Sequence, residues 1–146
     1  MMKRTSKKQA RPGVDQHGRT PLHYAAGDGN SSVLEDSLRM AADPNVQDDD
    51  GWTALHFAAQ SQSVSCVRTL LAAGARVDLR DSHGNTPLWR AVFNSKGDGA
   101  VIMLLREAGA DPRSVNKNGV SPVGLARKIA NYDVARFFAD VSDEET

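Results

Sequence analysis

Apolar and polar residues recur in the same order in four short segments of the chain. The segments are TPLHYA at 20–25, TALHFA at 53–58, TPLWRA at 86–91 and SPVGLA at 121–126. A second apolar group follows each of them at a matching place, with Val33-Leu34, Cys66-Val67, Val101-Ile102 and Val134. This self-similarity over nearly the whole chain predicts stacked structural repeats, each too small to bury its apolar face alone.

Glycines two positions before each segment give the period of the repeat. Gly18 and Gly51 are 33 positions apart, Gly51 and Gly84 are again 33 apart, and Gly84 and Gly119 are 35 apart. An Asp or Asn stands three residues before each glycine, which is typical of a polar turn that glycine closes. We expect the longer third unit to carry a tolerated surface insertion around 94–100, because that stretch is polar and rich in glycine.

Each unit is predicted to be a hairpin turn followed by two helices. The segments open on Thr or Ser, whose hydroxyl accepts a hydrogen bond from an unpaired N–H at a helix start, and three of them continue with Pro at the first helical position. Gly74 and Gly109 fit the left-handed C-cap of the second helix, whereas Ala41 in the first unit predicts a strained or shifted helix end. In the fourth unit we expect a second helix with Val134, and we expect Tyr132 and Phe137-Phe138 to close the stack.

This pattern resembles the ankyrin repeat, and the resemblance is carried by Gly18-Arg19-Thr20-Pro21-Leu22-His23-Tyr24-Ala25-Ala26 and its three copies. It covers about residues 12–140. It implies an all-α repeat solenoid of four ankyrin repeats, at about 12–44, 45–77, 78–112 and 113–140, with hairpin fingers above a concave face. The stretches WRAVFNSKG and IANYDVARFF are similar to small bacterial cytoplasmic ankyrin proteins, which implies a cytoplasmic location.

Charge and composition restrict the classes of partner that the chain is expected to bind. The 146 residues have a formal net charge of zero, which favours neither nucleic acid nor an acidic membrane surface, and no apolar run approaches the ~20 residues of a membrane span. The first 11 residues are basic and residues 141–146 are acidic, and we expect both to be solvated tails. The basic tail leaves open one alternative, a regulator that associates with nucleic acid.

The sequence offers no catalytic constellation. The resemblance implies that His23 and His56 are structural and form hydrogen bonds with the motif threonine and nearby backbone. Cys66 takes a place that valine holds in the other units, so we expect a small buried apolar residue. The run Asp48–Asp50 lacks the further ligands that calcium needs. We therefore expect no enzyme, no cofactor, no metal and no small-molecule substrate.

In the family that the chain resembles, partner contacts come from the positions around each turn glycine and from those after the alanine pair of the first helix. Carried over to this chain, they are Gln16, His17, Arg19, Gly27 and Asp28, then Asp49, Asp50, Trp52, Gln60 and Ser61, then Ser82, His83, Asn85, Phe93 and Asn94, and finally Lys117, Asn118, Val120, Lys128 and Ile129.

Two aromatic residues and one charge pattern stand out on this predicted surface. Trp52 either anchors a partner or staples its neighbouring finger, and Phe93 either anchors a partner or packs under the long third-unit loop. The fingers change from acidic in the second unit to basic in the fourth, so a partner of matching polarity would be oriented along them.

The sequence therefore predicts a module that binds another protein as an adaptor, scaffold or inhibitor and is a monomer when unbound. An immunity protein, which neutralises a toxin or enzyme by occluding it, is an alternative within the same class. It rests on analogy with some of the small bacterial proteins that the chain resembles.

Overall fold

A computed structural model describes residues 11–143, and every regular element within that range is helical. The elements are α1 (Pro21–Gly27), α2 (Ser31–Arg39), α3 (Ala54–Ser61), α4 (Val64–Ala72), α5 (Pro87–Phe93), α6 (Ala100–Glu107), α7 (Pro122–Lys128) and a 3₁₀ helix (Ala135–Phe138). This architecture is the all-α repeat arrangement that the sequence predicts.

The helices form two layers. In the inner layer α1 packs on α3, α3 on α5 and α5 on α7, while in the outer layer α2 packs on α4 and α4 on α6. The core lies between the layers and is built from the recurring aliphatic positions, such as Leu22, Leu55 and Leu88, all of which are fully buried. Alanines in the inner helices, such as Ala26 and Ala59, are also fully buried, which lets neighbouring helices approach closely.

Hydroxyl side chains begin the inner helices as predicted. The Oγ1 of Thr53 accepts a hydrogen bond from the N–H of His56 at 3.3 Å, and the Oγ1 of Thr86 accepts one from the N–H of Trp89 at 3.3 Å. Ser121 does the same for α7. Each bond satisfies an N–H that has no partner inside the helix.

The outer helices end on left-handed residues. Gly74 and Gly109, which follow α4 and α6, have φ of 85° and 93°. Ala41, at the same place after α2, has φ of 62°, and its N–H donates to the carbonyl of Leu38. The helix end predicted to be strained therefore keeps the geometry of the other two, at the cost of a left-handed alanine.

The hairpin turns around Gly18, Gly51, Gly84 and Gly119, called the fingers below, are joined edge to edge. In each, an Asp or Asn side chain accepts two backbone N–H groups of its own turn. Successive fingers are linked by backbone hydrogen bonds of 2.9 Å, for example from the N–H of Asp49 to the carbonyl of His17.

Buried histidines tie the first two units to the finger of the next. The backbone N–H of Thr20 donates to Nδ1 of His23, so Nε2 carries the proton and lies 2.9 Å from the carbonyl of Trp52. His56 makes the corresponding contacts with Thr53 and the carbonyl of Asn85. The structural role expected of both histidines is confirmed, and burial lowers the pKa of His56 to about 4.

The fourth unit differs from the others. Its predicted second helix is reduced to one 3₁₀ turn, and Val134, which precedes that turn, has no capping side chain. The insertion of the third unit packs against it, because Gly97 and Gly99 lie against the rings of Tyr132 and Phe137. The insertion that the sequence predicts at the surface is therefore packed against the fourth unit at these two glycines.

The predicted tails are only partly within the described range, and residues 1–10 and 144–146 lie outside it. Val141 is buried in the core, and the carboxylate of Asp140 forms an ion pair of 2.6 Å with Arg106. The chain therefore remains packed slightly beyond the predicted boundary at residue 140. At the other end, Arg11 binds Asp49 in the second finger at 2.9 Å.

Candidate functional site

Seven side chains form a continuous stack along the groove between the fingers and the inner helices. The stack, called the aromatic–arginine stack below, is made of residues from the first three units, with consecutive ring or guanidinium separations of 5.9, 5.3, 4.8, 4.5, 5.3 and 5.3 Å. Its members in order are Tyr24, Arg19, Phe57, Trp52, Arg90, Trp89 and Phe93. Such cation–π and ring contacts stabilise the arrangement beyond the area that they bury.

Buried carboxylates hold the two arginines of the stack. The Nε of Arg19 donates to Oδ2 of Asp48 at 3.1 Å, and Nη2 of Arg90 lies 3.6 Å from Oδ2 of Asp81. Both carboxylates are almost fully buried, with side-chain exposures of 1 % and 0 %. Arg19 is therefore oriented by a charge-assisted hydrogen bond. Arg90 and Asp81 form a looser ion pair, and within residues 11–143 neither Nε of Arg90 nor Oδ2 of Asp81 has a hydrogen-bond partner.

Helical spacing sets the floor of the groove. Phe57 and Gln60 are three residues apart on α3, and Arg90 and Phe93 are three apart on α5, so each pair lies on one helix face. Sequence reasoning selected Gln60 and Phe93 but missed Phe57 and Arg90. The helical spacing could have identified them, since each precedes a selected position by three residues.

Two adjacent openings along the groove bring together several of the predicted contact residues. The first has a volume of about 460 Å³ and is lined by Asp50, Trp52, Gln60 and His83 together with the two arginines of the stack. The second has a volume of about 390 Å³, and its lining includes Gly27, Asp28 and Ser61. Both openings include Arg19, Phe57 and Gln60, so they are parts of one groove.

The two predicted aromatic candidates have different environments. Trp52 is half-buried between Phe57 and Arg90, which gives it a structural role in joining neighbouring units. Phe93 is 59 % exposed and stacks on Trp89 with an interplanar angle of 11°. Of the two environments considered for Phe93, the structure shows an exposed ring rather than one packed under the third-unit loop.

Asn85 does not belong to the surface. Its side chain is only 4 % exposed, and its Oδ1 accepts a hydrogen bond from Nδ2 of Asn116 at 2.9 Å. At this position, directly after the turn glycine, the side chain points toward the next finger. The corresponding space between the first two fingers holds the pair Arg19–Asp48, whereas here two short amides fill it. This burial counts against the predicted contact role of Asn85.

The remaining predicted residues lie at the edges of the groove or away from it. The exposed finger ends carry Gln16, His17, Asp49, Ser82, Lys117 and Asn118, while Asn94 and Ile129 follow the ends of α5 and α7 and are half-buried. Val120 and Lys128 line a separate cavity at the end of the fourth unit. The structure therefore groups the predicted residues of the first three units and leaves those of the fourth apart.

Tyr24 is held in place at the open end of the stack. Its hydroxyl donates a hydrogen bond to a carboxylate oxygen of Asp15 in the first finger. This hydrogen bond, together with those from the backbone of Arg19 and His17, lowers the pKa of Asp15 to about 2. The ring is still 45 % exposed, so it remains accessible beside the groove.

The groove has the composition of a binding surface. Among residues 11–143, no group of three or more His, Cys, Asp or Glu side chains is arranged to hold a metal ion. None of the helices in this range is both long and apolar enough to span a bilayer. The groove presents rings, guanidinium groups, the amide of Gln60 and two carboxylates, which can contact another molecule by packing and hydrogen bonding.

Comparison with known families agrees with the architecture. A family model described as ankyrin repeats (3 copies) matches residues 22–116, which is more than half of the 146 residues. The match includes the three helix pairs. It also includes six of the seven members of the stack, all but Arg19. On its repeat pattern, its helical layers and this match, the chain belongs to the ankyrin repeat family.

Proposed function

We propose that this chain binds one partner protein through the groove of the aromatic–arginine stack and acts as an adaptor, scaffold or inhibitor. Ankyrin repeats are generally protein-interaction modules. The observation that carries the proposal is the stack itself, a preorganised row of seven side chains with exposed rings at Tyr24 and Phe93. Rigid aromatic and arginine residues are the commonest energetic anchors of protein interfaces.

Preorganisation supports a binding role over a purely structural one. Asp48 holds Arg19 by a hydrogen bond, and Arg90 lies against two indole rings with Asp81 3.6 Å away, so little side-chain freedom would be lost when a partner contacts them. A partner segment would lie over Phe57 and Gln60 at the centre of the groove, with its ends near Tyr24 and Phe93.

Charge supports a defined orientation of the partner. The groove carries the carboxylates of Asp28 and Asp50 in its first two units, whereas Lys117 and Lys128 lie in the fourth. A partner with basic groups toward the first unit and acidic groups toward the fourth would match this polarity. In this proposal the protein works in the cytoplasm, like the small bacterial ankyrin proteins that it resembles.

The test is affinity capture from a lysate of the source organism, followed by mass spectrometry. The bait is compared with a groove variant, Phe93→Ala with Gln60→Lys, and with a matched variant on the outer helix α6, Met103→Ala with Glu107→Gln. Both variants truncate one exposed apolar side chain and raise the net charge by one. All four positions are exposed, so both variants are expected to fold.

A protein captured by the wild type and the α6 variant but not by the groove variant supports the proposal. Activity assays on the purified partner mixed with this chain then distinguish the versions of the proposal. An inhibitor or immunity protein abolishes the activity of its partner, and an adaptor leaves that activity intact. Equal capture by all three baits would refute the proposal that the groove is the binding site. Capture of nucleic acid that disappears when residues 1–10 are removed would favour the alternative of a nucleic-acid-associated regulator.

A further inference from the structure

The first unit exposes apolar positions that the other units bury. Val33 is 44 % exposed, whereas Cys66, Val101 and Val134 at the same position are at most 1 % exposed. Pro21 is likewise exposed, and its counterparts in the other three units are buried. In those units the preceding unit covers this face. In the first unit the face borders a cavity of about 700 Å³.

The fourth finger is open on the opposite end of the stack. A Cβ added at Gly18, Gly51 or Gly84 would lie within 3.1 Å of an atom of the following finger, whereas one added at Gly119 would meet no atom of residues 11–143 within 4 Å. Val115 beside it is 50 % exposed and lines a cavity of about 300 Å³. The fourth finger therefore has an open edge on which a further finger could stack.

The backbone ladder that joins the fingers has a free group at each end. Inside the stack the N–H groups of Asp49, Ser82 and Lys117 donate to the preceding finger. The corresponding donor in the first finger is the N–H of Gln16, and the corresponding acceptor in the fourth is the carbonyl of Asn118. Among residues 11–143, neither group is bonded to another backbone group.

We propose that the first unit of one copy of this chain stacks on the fourth unit of another, head to tail, in the register of the internal repeats. In this arrangement the N–H of Gln16 donates to the carbonyl of Asn118, and Val14 lies near Val115. The contact is heterologous, so it does not close on itself and leads to short linear chains. It borders the groove, since Arg19, Tyr24 and Asp28 line both the first-unit cavity and the groove, but it does not depend on the proposed partner.

The association is weak for a physical reason. Arg127 occupies a position that Ala26, Ala59 and Val92 hold in the other units, and all three are fully buried. The larger side chain keeps the two end helices farther apart than the internal ones. We therefore expect a dissociation constant of about 0.1–1 mM. The chain is then a monomer at low concentration, as the sequence analysis expects, and self-associates only when concentrated.

Sedimentation velocity of the full chain at low salt, from about 10 µM to about 1 mM, tests the proposal. The weight-average sedimentation coefficient is expected to rise with concentration. Val33→Asp closes one end and Val115→Asp closes the other, so each variant alone is expected to remain monomeric. A mixture of the two is expected to form a dimer that grows no further, because each variant keeps one intact end. Met103→Asp on α6 is the control and is expected to behave as the wild type.

Circular dichroism confirms that each variant folds. A wild type that stays monomeric up to about 1 mM would overturn the proposal. So would association that persists in both valine variants, which would indicate contact through the groove or another face.

Discussion

The guanidinium carbon of Arg90 lies 4.5 Å from the centre of the Trp52 ring. Arg90 is on α5 and Trp52 is in the second finger, so this contact joins the second and third units. On its other side the indole packs on Phe57 at 4.8 Å. The tryptophan that stood out in the sequence is thus an internal member of the stack, and the most exposed ring of the stack is Phe93.

Replacing Trp52 is expected to change stability more than replacing Phe93. Trp52→Ala removes contacts with His56, Phe57 and Arg90 and should lower the free energy of unfolding by about 2–3 kcal/mol, since the ring is half-buried. Phe93→Ala removes an exposed ring and should cost less than about 1 kcal/mol. Urea denaturation followed by circular dichroism measures both. Similar losses for the two variants would mean that Trp52 does not join the units.

Acid is expected to destabilise the protein through His56. Burial lowers its pKa in the folded chain from 6.5 to about 4, so between these two pH values the unfolded chain binds a proton that the folded chain does not. The free energy of unfolding should therefore fall as the pH falls from about 6.5 to about 4, by up to about 3 kcal/mol from this group. Below about 4 the group adds no further loss.

Urea denaturation at a series of pH values measures this dependence. An NMR titration of the imidazole ring signals assigns it to His56. The ring signals of His56 should keep their neutral-form shifts in the folded protein down to about pH 5. A titration midpoint near 6.5 for this residue would show that the ring is not desolvated as the structure has it.

The end of α2 offers a stabilising substitution. Ala41 adopts φ of 62°, a region that glycine occupies without the clash of a Cβ, so Ala41→Gly should raise the free energy of unfolding by about 0.5–1 kcal/mol. Gly74→Ala at the matching place after α4 is the reverse experiment. A Cβ there would meet no described atom within 4 Å, so its expected cost of about 1 kcal/mol is backbone strain alone. Changes of the same sign in the two variants would contradict this explanation.

The fourth unit is expected to open more readily than the first. Trp89 stands where His23 and His56 tie their units to the next finger, and its buried Nε1 has no hydrogen-bond partner in the described part of the chain. The fourth unit also ends in a single 3₁₀ turn. Hydrogen exchange measured by mass spectrometry should therefore show faster exchange in α7 than in α1, although both lie in terminal units. Equal protection would indicate that the fingers alone hold the fourth unit.

Much of the candidate site could be read from the sequence because the repeat assigns a place to each position. Gln60 and His83 were selected by their positions after the alanine pair and before the turn glycine, and they line the same opening. Phe57 and Arg90 were not selected, since the resemblance assigns contacts to fingertips and helix ends. Asn85 was selected by position, but its short amide is buried against Asn116.

The sequence by itself determined the architecture, because the signals for it are local. A hydroxyl at a helix start, a glycine with positive φ and an aliphatic residue at a fixed spacing each act within a few neighbouring residues, and the period of 33 repeats them. Tertiary structure alone decided which side chains meet across units. The pairing of Arg19 with Asp48, the stacking of Arg90 on Trp52 and the low pKa of His56 all depend on how one unit packs against the next. That packing brings together residues about 30 or more positions apart along the chain.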